Sequence, residues 1–349
     1  MTLTPAFAVP HAGGSLAPTT IERRDLRPDD VRIDVVYAGI CHSDIHQVKN
    51  EWGGGIFPMV PGHEIAGIVS EVGSDVTKYQ VEDRVGVGCM VNSCGECEYC
   101  RADAEQFCLK GSVWTYNSVD YDGAHTYGGY SRHIVVKEAF VCRIPDGIEL
   151  DAAAPLLCAG VTTYSPLHRW GVGPDKRVAV VGLGGLGHIG VKIAVALGAQ
   201  VTVLSQSLKK HEDGLRLGAT DFYPTADEKI FTALSGRFDL ILNTVSAPLP
   251  IDLYLSMLRV GGVMVNVGAP PENLSYNASS LLGGSKVLAG SLIGGIAETQ
   301  QMLDFCVEHG VGAEVEVIAA DQMNDAYERV ENSDVRYRFV IDVSTIDAV

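Results

Sequence analysis

The feature that most constrains the fold is a glycine-rich turn between a strand and a helix. Arg177–Val181 is a continuous apolar run, typical of a strand in a parallel sheet covered on both faces. Gly182-Leu183-Gly184-Gly185-Leu186-Gly187 follows directly, then His188–Leu197 has a helical period and Gln200–Leu204 is a second strand. Such glycines allow a tight turn and let a pyrophosphate approach the helix N-terminus. The pattern predicts a nucleotide-binding βαβ unit.

The strand–helix alternation continues beyond this unit. Strands are predicted at Phe238–Asn243, Gly262–Val267 and Lys286–Gly290, and a helix at Ile251–Arg259. Together these segments predict a doubly wound parallel sheet over residues 154–293.

The first 153 residues have a different pattern of short strands separated by glycine turns. Asp30–Tyr37 alternates as a half-buried strand does, and Ile65–Val72, Arg84–Val87 and His133–Val136 are similar. We therefore predict an antiparallel, barrel-like domain over 1–153, and we expect the tail, 294–349, to complete it. The fold class is α/β.

Composition limits the partners. The formal net charge is −17, whereas nucleic acids and anionic membranes reward clustered positive charge. The N-terminal segment lacks the pattern of a signal peptide, and no apolar run is long enough to span a bilayer. Nine cysteines in such a chain favour metal sites or free thiols, and a cytoplasmic location.

Four of these cysteines form a compact motif with the spacing C-x2-C-x2-C-x7-C. Two-residue gaps let successive thiolates reach one metal, and four thiolates close a tetrahedron without an open position. The motif predicts a structural metal site at Cys94, Cys97, Cys100 and Cys108. Disulfides are the alternative that the compartment disfavours. An iron–sulfur cluster is a further one, disfavoured by the long last gap and the lack of a following proline.

A second candidate metal site lies earlier in the chain. Cys41, His63 and Glu64 supply a thiolate, an imidazole and a carboxylate, which suit a borderline-soft dication such as zinc. The segment between them contains Gly53-Gly54-Gly55, which allows the chain to fold back. Either another protein group or water must complete the tetrahedron, and Cys158, in an apolar segment, is a candidate.

The end of the second strand of the βαβ unit indicates the type of nicotinamide cofactor. NAD sites usually have Asp or Glu there, to bind the ribose hydroxyls. This chain instead has Ser205-Gln206-Ser207, followed by Lys209 and Lys210. Hydroxyls and ammonium groups suit a 2′-phosphate, so we predict NADP(H).

Taken together, the motifs resemble those of the zinc-dependent medium-chain alcohol dehydrogenases, and most closely the cinnamyl-alcohol-dehydrogenase branch with its bacterial NADP-dependent members. The likeness runs nearly end to end. It rests on the following segments: Gly39–Asp44, Pro61–Glu64, the loop of four cysteines, Leu156–Thr162, Gly182–Gly187 and Ile293–Gly295. It implies a GroES-like catalytic domain followed by a Rossmann domain.

The resemblance also implies roles for individual residues. Catalytic zinc would be held by Cys41, His63 and Cys158, with Glu64 as a near or alternating ligand, and a second zinc by the four-cysteine loop. Ser43 would be the hydroxyl of a proton relay and His46 its outer base. The implied reaction is reversible reduction of aldehydes to primary alcohols, aromatic and aliphatic, with zinc polarising the substrate oxygen.

The same resemblance assigns NADP(H) contacts beyond those read from the residues, and it implies a homodimer. Leu292 stands where aromatic-alcohol specialists tend to have a larger aromatic, which favours a broad aldehyde range. Trp52, Trp114 and Leu292 would line the substrate pocket. The cofactor set comprises His42, Thr162, Gly182–Gly187, Ser205, Gln206, Ser207, Lys210, Thr244, Val245, Val267, Gly268, Ser291 and Ile293.

Two other functions are compatible with parts of this sequence. The first is a zinc dehydrogenase of the same fold that acts on a polyol or on a thiol–aldehyde adduct; the apolar pocket candidates disfavour polyols. The second is a non-enzymatic module in which the four-cysteine loop binds nucleic acid, which the charge of −17 and the second metal set disfavour.

Overall fold

The computed structural model describes residues 2–270 and 272–347, and the chain divides into two units. The first unit consists of Met1–Cys158 together with Gly294–Val349, and the second of Ala159–Ile293. The first division lies a few residues after the predicted one at 153. The short helical segments that precede Cys158 contact strands of the first unit, which explains where the division falls.

The strands of the described residues are numbered in chain order. They are β1 Thr2–Ala8, β2 Ala17–Arg23, β3 Asp30–Gly39, β4 Ile65–Val72, β5 Arg84–Val87, β6 Met90–Asn92, β7 Val113–Trp114, β8 His133–Lys137, β9 Cys142–Arg143, β10 Arg177–Val181, β11 Gln200–Ser205, β12 Asp221–Pro224, β13 Phe238–Asn243, β14 Leu258–Asn266, β15 Val287–Gly290, β16 Val315–Ile318 and β17 Arg338–Asp342.

The α-helices are numbered in the same way, and short 3₁₀ turns connect several elements. They are α1 His42–Val48, α2 Glu98–Arg101, α3 Leu150–Ala153, α4 Ala159–Arg169, α5 Gly187–Ala196, α6 His211–Arg216, α7 Lys229–Ala233, α8 Ile251–Met257, α9 Ser279–Leu282, α10 Ile296–Glu308 and α11 Met323–Glu331.

The first unit is built on a seven-stranded sheet with the order β16-β17-β3-β4-β5-β9, and β8 also pairs with β3. All these pairs are antiparallel except β16 with β17. Two separate ribbons, β1–β2 and β6–β7, complete the strands of this unit. The C-terminal strand β17 lies beside the end of β3, with Val340 opposite Gly39. This pairing places Arg338 near the start of α1.

Local geometry explains how two candidate ligands come close to each other. Cys41 has extended backbone dihedrals and caps α1, and its N–H donates to Asp44 Oδ2 at 2.9 Å. Gly62 has φ +102°, and a Cβ there would lie 2.6 Å from the ring of Tyr130. Only glycine tolerates both conditions, so Gly62 lets the chain turn tightly and present His63 immediately before β4.

The second unit is a six-stranded sheet with the order β12-β11-β10-β13-β14-β15, and every pair is parallel. This confirms the predicted doubly wound sheet. The prediction of a helix as far as Arg259 is wrong at its end, because α8 stops at Met257. Leu258 is 1% exposed and pairs with Phe238 as the start of β14, so sheet pairing overrides local helical preference there.

No helix in the described residues is long and apolar enough to cross a membrane.

Candidate active site and metal centres

Four buried side chains from three segments of the first unit converge at the end of β3. The candidate ligand atoms of Cys41, His63, Glu64 and Cys158 all lie within 4.8 Å of one another. His63 Nε2 is 3.3 Å from Cys158 Sγ, and Cys41 Sγ is 3.6 Å from Ser43 Oγ. The structure therefore brings together the three residues read first from the sequence and Cys158.

The two thiols of this cluster differ in acidity. A hydrogen bond from Cys158 holds the pKa of Cys41 well below its usual value, in spite of burial, and the positive charge of Arg338 acts in the same direction. The hydrogen bond that Cys158 makes with Cys41 raises the pKa of Cys158. Cys41 is therefore the first of the pair to become a thiolate, the form that binds metals.

Sequence reasoning missed Asp44, which fixes the orientation of His63. This fully buried carboxylate is 3.0 Å from His63 Nδ1 and 3.2 Å from the backbone nitrogen of Gly62. A carboxylate only accepts, so Nδ1 carries the donated hydrogen and Nε2 faces Cys158. The available signal was the position of Asp44, three residues after Cys41 in the first turn of a helix.

Arg338 was also missed, and it is the ionic partner of Glu64. The Arg338 guanidinium bonds Glu64 Oε1, and their side chains are 4% and 0% exposed. Burial disfavours the charge of Arg338, but the negative charges of Glu64, Cys41 and Cys158 together outweigh it and raise the pKa of Arg338. The two residues are 274 positions apart, so no local pattern could have revealed the pair.

Helix α1 carries the two predicted relay residues, Ser43 and His46, which are three positions apart and so share a face. His46 Nδ1 bonds Glu51, while its buried Nε2 has no hydrogen-bond partner among the described residues. The ring of His46 lies 4.8 Å from that of His42 and 4.8 Å from that of Trp52. One ring nitrogen of His46 is thus held by Glu51, and the other remains available to accept or donate a proton.

The predicted structural site is a second cluster in the first unit. The sulfur atoms of Cys94, Cys97, Cys100 and Cys108 lie within 4.8 Å of one another. Backbone hydrogen bonds from Leu109 and Cys100 lower the pKa of Cys97 to about 6, which favours its thiolate at neutral pH. Burial raises the pKa of Cys100 to about 11. All nine cysteines are free thiols.

Both clusters fit zinc by the chemistry of their donors. Four sulfurs match a closed structural site, and two sulfurs with an imidazole match a catalytic one that keeps a position open. An additional observation favours a cation at the buried cluster. Glu64 Oε2 is buried without a hydrogen-bond partner among the described residues, a cost that a nearby cation would offset.

The second unit presents the predicted cofactor loop between β10 and α5. A Cβ on Gly187 would lie 2.0 Å from the carbonyl oxygen of Gly182, so the loop closes only with glycine. A Cβ on Gly184 would meet no protein atom within 4 Å, which leaves that side of the loop open to a ligand. Thr162 Oγ1 is buried without a partner among the described residues. Thr244 Oγ1 donates to Val181 O at 2.8 Å.

The predicted 2′-phosphate residues follow β11 in the same unit. Ser205 ends the strand, and Ser207 Oγ accepts a 3.5 Å hydrogen bond from the backbone N–H of Lys209. Lys210 Nζ donates to Leu183 O at 3.0 Å, so its ammonium group lies against the glycine loop. The structure thus joins the two predicted parts of the cofactor site, while Gln206 is exposed.

The remaining predicted residues are distributed over both units. Trp52 is 42% exposed, and Trp114 lies on β7 opposite Met90, both in the first unit. In the second unit Leu292 is 48% exposed and Ile293 is buried with φ +37°. Val245, Val267, Gly268 and Ser291 lie after the carboxyl ends of β13, β14 and β15, where ligands of doubly wound sheets bind.

Fold and site together define a two-unit dehydrogenase with a buried metal centre. Residues 27–146 match the family model described as alcohol dehydrogenase GroES-like domain, and residues 185–308 match zinc-binding dehydrogenase. The chain is 63% identical to a probable formaldehyde dehydrogenase of Bacillus subtilis over 343 residues, 98% of each chain. It is 59% identical to an NADP-dependent alcohol dehydrogenase C of Mycolicibacterium smegmatis over 347 residues, 99% of each.

A solved cinnamyl alcohol dehydrogenase from Sorghum bicolor superposes with a TM-score of 0.97 at 45% identity, over 100% of both chains. The chain belongs to the zinc-dependent medium-chain alcohol dehydrogenase family, in its cinnamyl-alcohol-dehydrogenase-like branch. It is an oxidoreductase that interconverts alcohols and aldehydes, as the sequence predicted. The predicted GroES-like domain is likewise confirmed.

Proposed function

We propose that this enzyme interconverts aldehydes and primary alcohols with NADP(H), at the cluster of Cys41, His63, Glu64 and Cys158. The observation that carries the proposal is this buried set of donors, three of which match a catalytic zinc site. When bound, zinc polarises the substrate oxygen and NADPH supplies the hydride. The protein binds and orients these groups and excludes water from the site.

In this proposal two residues of α1, Ser43 and His46, transfer the proton. Ser43 Oγ lies 3.6 Å from Cys41 Sγ and so stands beside the metal ligands, where it donates a proton to the product oxygen. Ser43 regains its proton by way of His46, whose buried Nε2 has no hydrogen-bond partner among the described residues, while Nδ1 bonds Glu51. His46 is 7% exposed and Glu51 is more exposed, which supports His46 as the group of this path that lies closer to solvent.

Preference for NADP(H) follows from the charge after β11. Ser205, Ser207 and Lys210 offer hydroxyls and an ammonium group, and no carboxylate stands there to repel a 2′-phosphate. The name of the M. smegmatis relative, NADP-dependent alcohol dehydrogenase, supports the same preference. Thr162, Thr244 and the glycine loop would hold the remainder of the dinucleotide.

Two substrate classes are candidates. The residues predicted to line the pocket, Trp52, Trp114 and Leu292, are apolar, and position 292 has no aromatic side chain, which favours a broad range of aromatic and aliphatic aldehydes. The B. subtilis relative is named a probable formaldehyde dehydrogenase, which keeps a thiol–aldehyde adduct as the second candidate.

We further propose that the enzyme is a homodimer located in the cytoplasm. Sedimentation analysis would test the dimer.

The test is aldehyde reduction by paired serine variants. Ser43→Ala should lower kcat for benzaldehyde by a factor of roughly 10²–10⁴, as expected for a proton-transfer group. Ser74→Ala removes an exposed hydroxyl of the same unit and should leave the rate unchanged. Near-normal turnover by Ser43→Ala would exclude the proposed proton path. Faster oxidation of a formaldehyde–thiol adduct than of benzyl alcohol would favour the second candidate.

A further inference from the structure

A group of buried tyrosines surrounds Asp44, the carboxylate that orients His63. Tyr130, Tyr327 and Tyr116 are 0%, 8% and 6% exposed. They come from the segment before β8, from α11 and from the segment after β7. Buried phenols require hydrogen-bond partners, and here the partners form a connected set.

The hydroxyls form a chain that ends on Asp44. Tyr327 OH donates to Tyr130 OH at 3.3 Å, and Tyr130 OH donates to Asp44 Oδ2 at 3.5 Å, a long contact. The ring of Tyr116 stacks on that of His63, with centroids 5.9 Å apart. Because these hydroxyls are buried, water does not compete for their hydrogen bonds. In the low dielectric of the interior even a long hydrogen bond contributes to the orientation of Asp44.

The position of Tyr327 is set by the way α11 is held against the rest of the first unit. Lys49, next to the end of α1, pairs with Glu331. Asn324 exchanges two hydrogen bonds with the backbone of Leu16, at 2.9 and 3.0 Å. The C-terminal segment thus delivers a phenol to a carboxylate that lies in α1, 283 residues earlier in the chain.

We propose that the hydroxyl chain Tyr327–Tyr130–Asp44 positions the metal ligand His63, so that a residue of the C-terminal segment controls how firmly the catalytic metal is held. Tyr327 OH orients Tyr130 OH, which donates to Asp44 Oδ2 together with the Cys41 N–H. Oδ1 of Asp44 is then left directed at His63 Nδ1. Tyr130 and Tyr327 are positioning residues, since neither contacts a ligand atom itself. The inference rests on the proposed function of the Cys41–His63–Cys158 cluster as a zinc site.

The test uses zinc release to a chromogenic chelator, which distinguishes the two zinc sites by their rates. Tyr130→Phe and Tyr327→Phe keep each ring, so Gly62 still packs against Tyr130. Outer partners of metal ligands typically contribute about 10–100-fold to metal affinity. We therefore expect Tyr130→Phe to release the catalytic zinc about tenfold faster, Tyr327→Phe a smaller factor faster, and the four-cysteine site unchanged in both.

Two comparisons separate positioning from general destabilisation. Because Tyr327 acts through Tyr130, the double variant should release zinc no faster than Tyr130→Phe alone. Tyr79→Phe is the matched control, since Tyr79 OH donates to Val141 O at 2.6 Å in the same unit but outside the chain. Cobalt substituted at the catalytic site should show a shifted visible spectrum in both chain variants and an unchanged one in Tyr79→Phe.

Each outcome decides one question. A wild-type protein that holds no zinc at the Cys41–His63–Cys158 cluster would overturn the proposed function. Two zincs with wild-type release rates and cobalt spectra in Tyr327→Phe and Tyr130→Phe would overturn the hydroxyl chain alone. If Tyr130→Phe fails to fold, Tyr327→Phe decides, because its hydroxyl lies at the outer end of the chain. Additive effects in the double variant would show that the two phenols act independently, which also contradicts the proposal.

Discussion

Replacement of Arg338 by methionine tests the buried ion pair behind the candidate metal site. The variant removes the only ionic partner recorded for Glu64 in the described residues. Both side chains are nearly inaccessible, and burial raises the pKa of Glu64 to about 8 even beside Arg338. Without Arg338 the Glu64 side chain must either stay charged without solvation or take up a proton. Loss of one partner from a buried pair typically costs about 3–5 kcal/mol. We expect a loss of this size in the free energy of unfolding, from a total that is on the order of 5–15 kcal/mol.

The assay is urea unfolding at pH 7 with zinc content measured in every sample. Arg27→Met is the matched control, because the Arg27–Asp122 pair is 38% and 35% exposed and should contribute less than about 1 kcal/mol. The double variant Glu64→Gln/Arg338→Met should recover much of the loss, since it leaves no unpaired charge. A loss below about 1 kcal/mol for Arg338→Met, or additive single effects, would refute a buried ionic pair.

Three further predictions concern other parts of the molecule. Burial lowers the pKa of His133 to about 4, so between roughly pH 6.5 and 4 the unfolded chain binds a proton that the folded chain does not. The free energy of unfolding should therefore fall by up to about 3 kcal/mol over this pH range. The free energy of unfolding of His133→Gln should lack this pH dependence, and an equal pH dependence would exclude His133 as its source. Gly187→Ala should lower the melting temperature, because its Cβ would clash with Gly182 O. Gly184→Ala should keep the wild-type melting temperature but bind NADPH more weakly in a fluorescence titration, because its Cβ would enter the open side of the loop. Tight NADPH binding by Gly184→Ala would show that the pyrophosphate binds elsewhere. Cys97→Ser should lose the zinc of the four-cysteine site and expose its loop to protease while keeping the second zinc, and retention of both metals would contradict the assignment.

Elements defined by local patterns were predicted well from the sequence. The strands Ile65–Val72, Arg177–Val181 and Phe238–Asn243 have their predicted bounds, since continuous or alternating apolar residues mark them directly. The first β-hairpin was not predicted. Its strands, β1 and β2, are stabilised by pairing with each other, and β1 contains a proline, which is unusual within a strand.

The four-cysteine site was predictable from its C-x2-C-x2-C-x7-C spacing, which lets four thiolates reach one metal. Cys41, His63 and Glu64 were candidates by their donor chemistry, and the family resemblance added Cys158 as a ligand. The residues that support these ligands were not predictable. Arg338, Tyr130 and Tyr327 are ordinary residues of strands, loops and helices by sequence, and only the three-dimensional fold brings them to Glu64 and Asp44. The residues next to Glu64 in the sequence give no indication that a distant residue, Arg338, pairs with it.

The most direct test of the central claim is the initial rate of benzaldehyde reduction, with NADPH and NADH side by side, in protein whose zinc content is known. We predict two zincs per chain and turnover that is much faster with NADPH, because Ser205, Ser207 and Lys210 favour a 2′-phosphate. A preference for NADH would contradict the cofactor assignment alone. No turnover with either cofactor in protein that holds two zincs would contradict the proposed substrate class and the function assigned to the buried cluster.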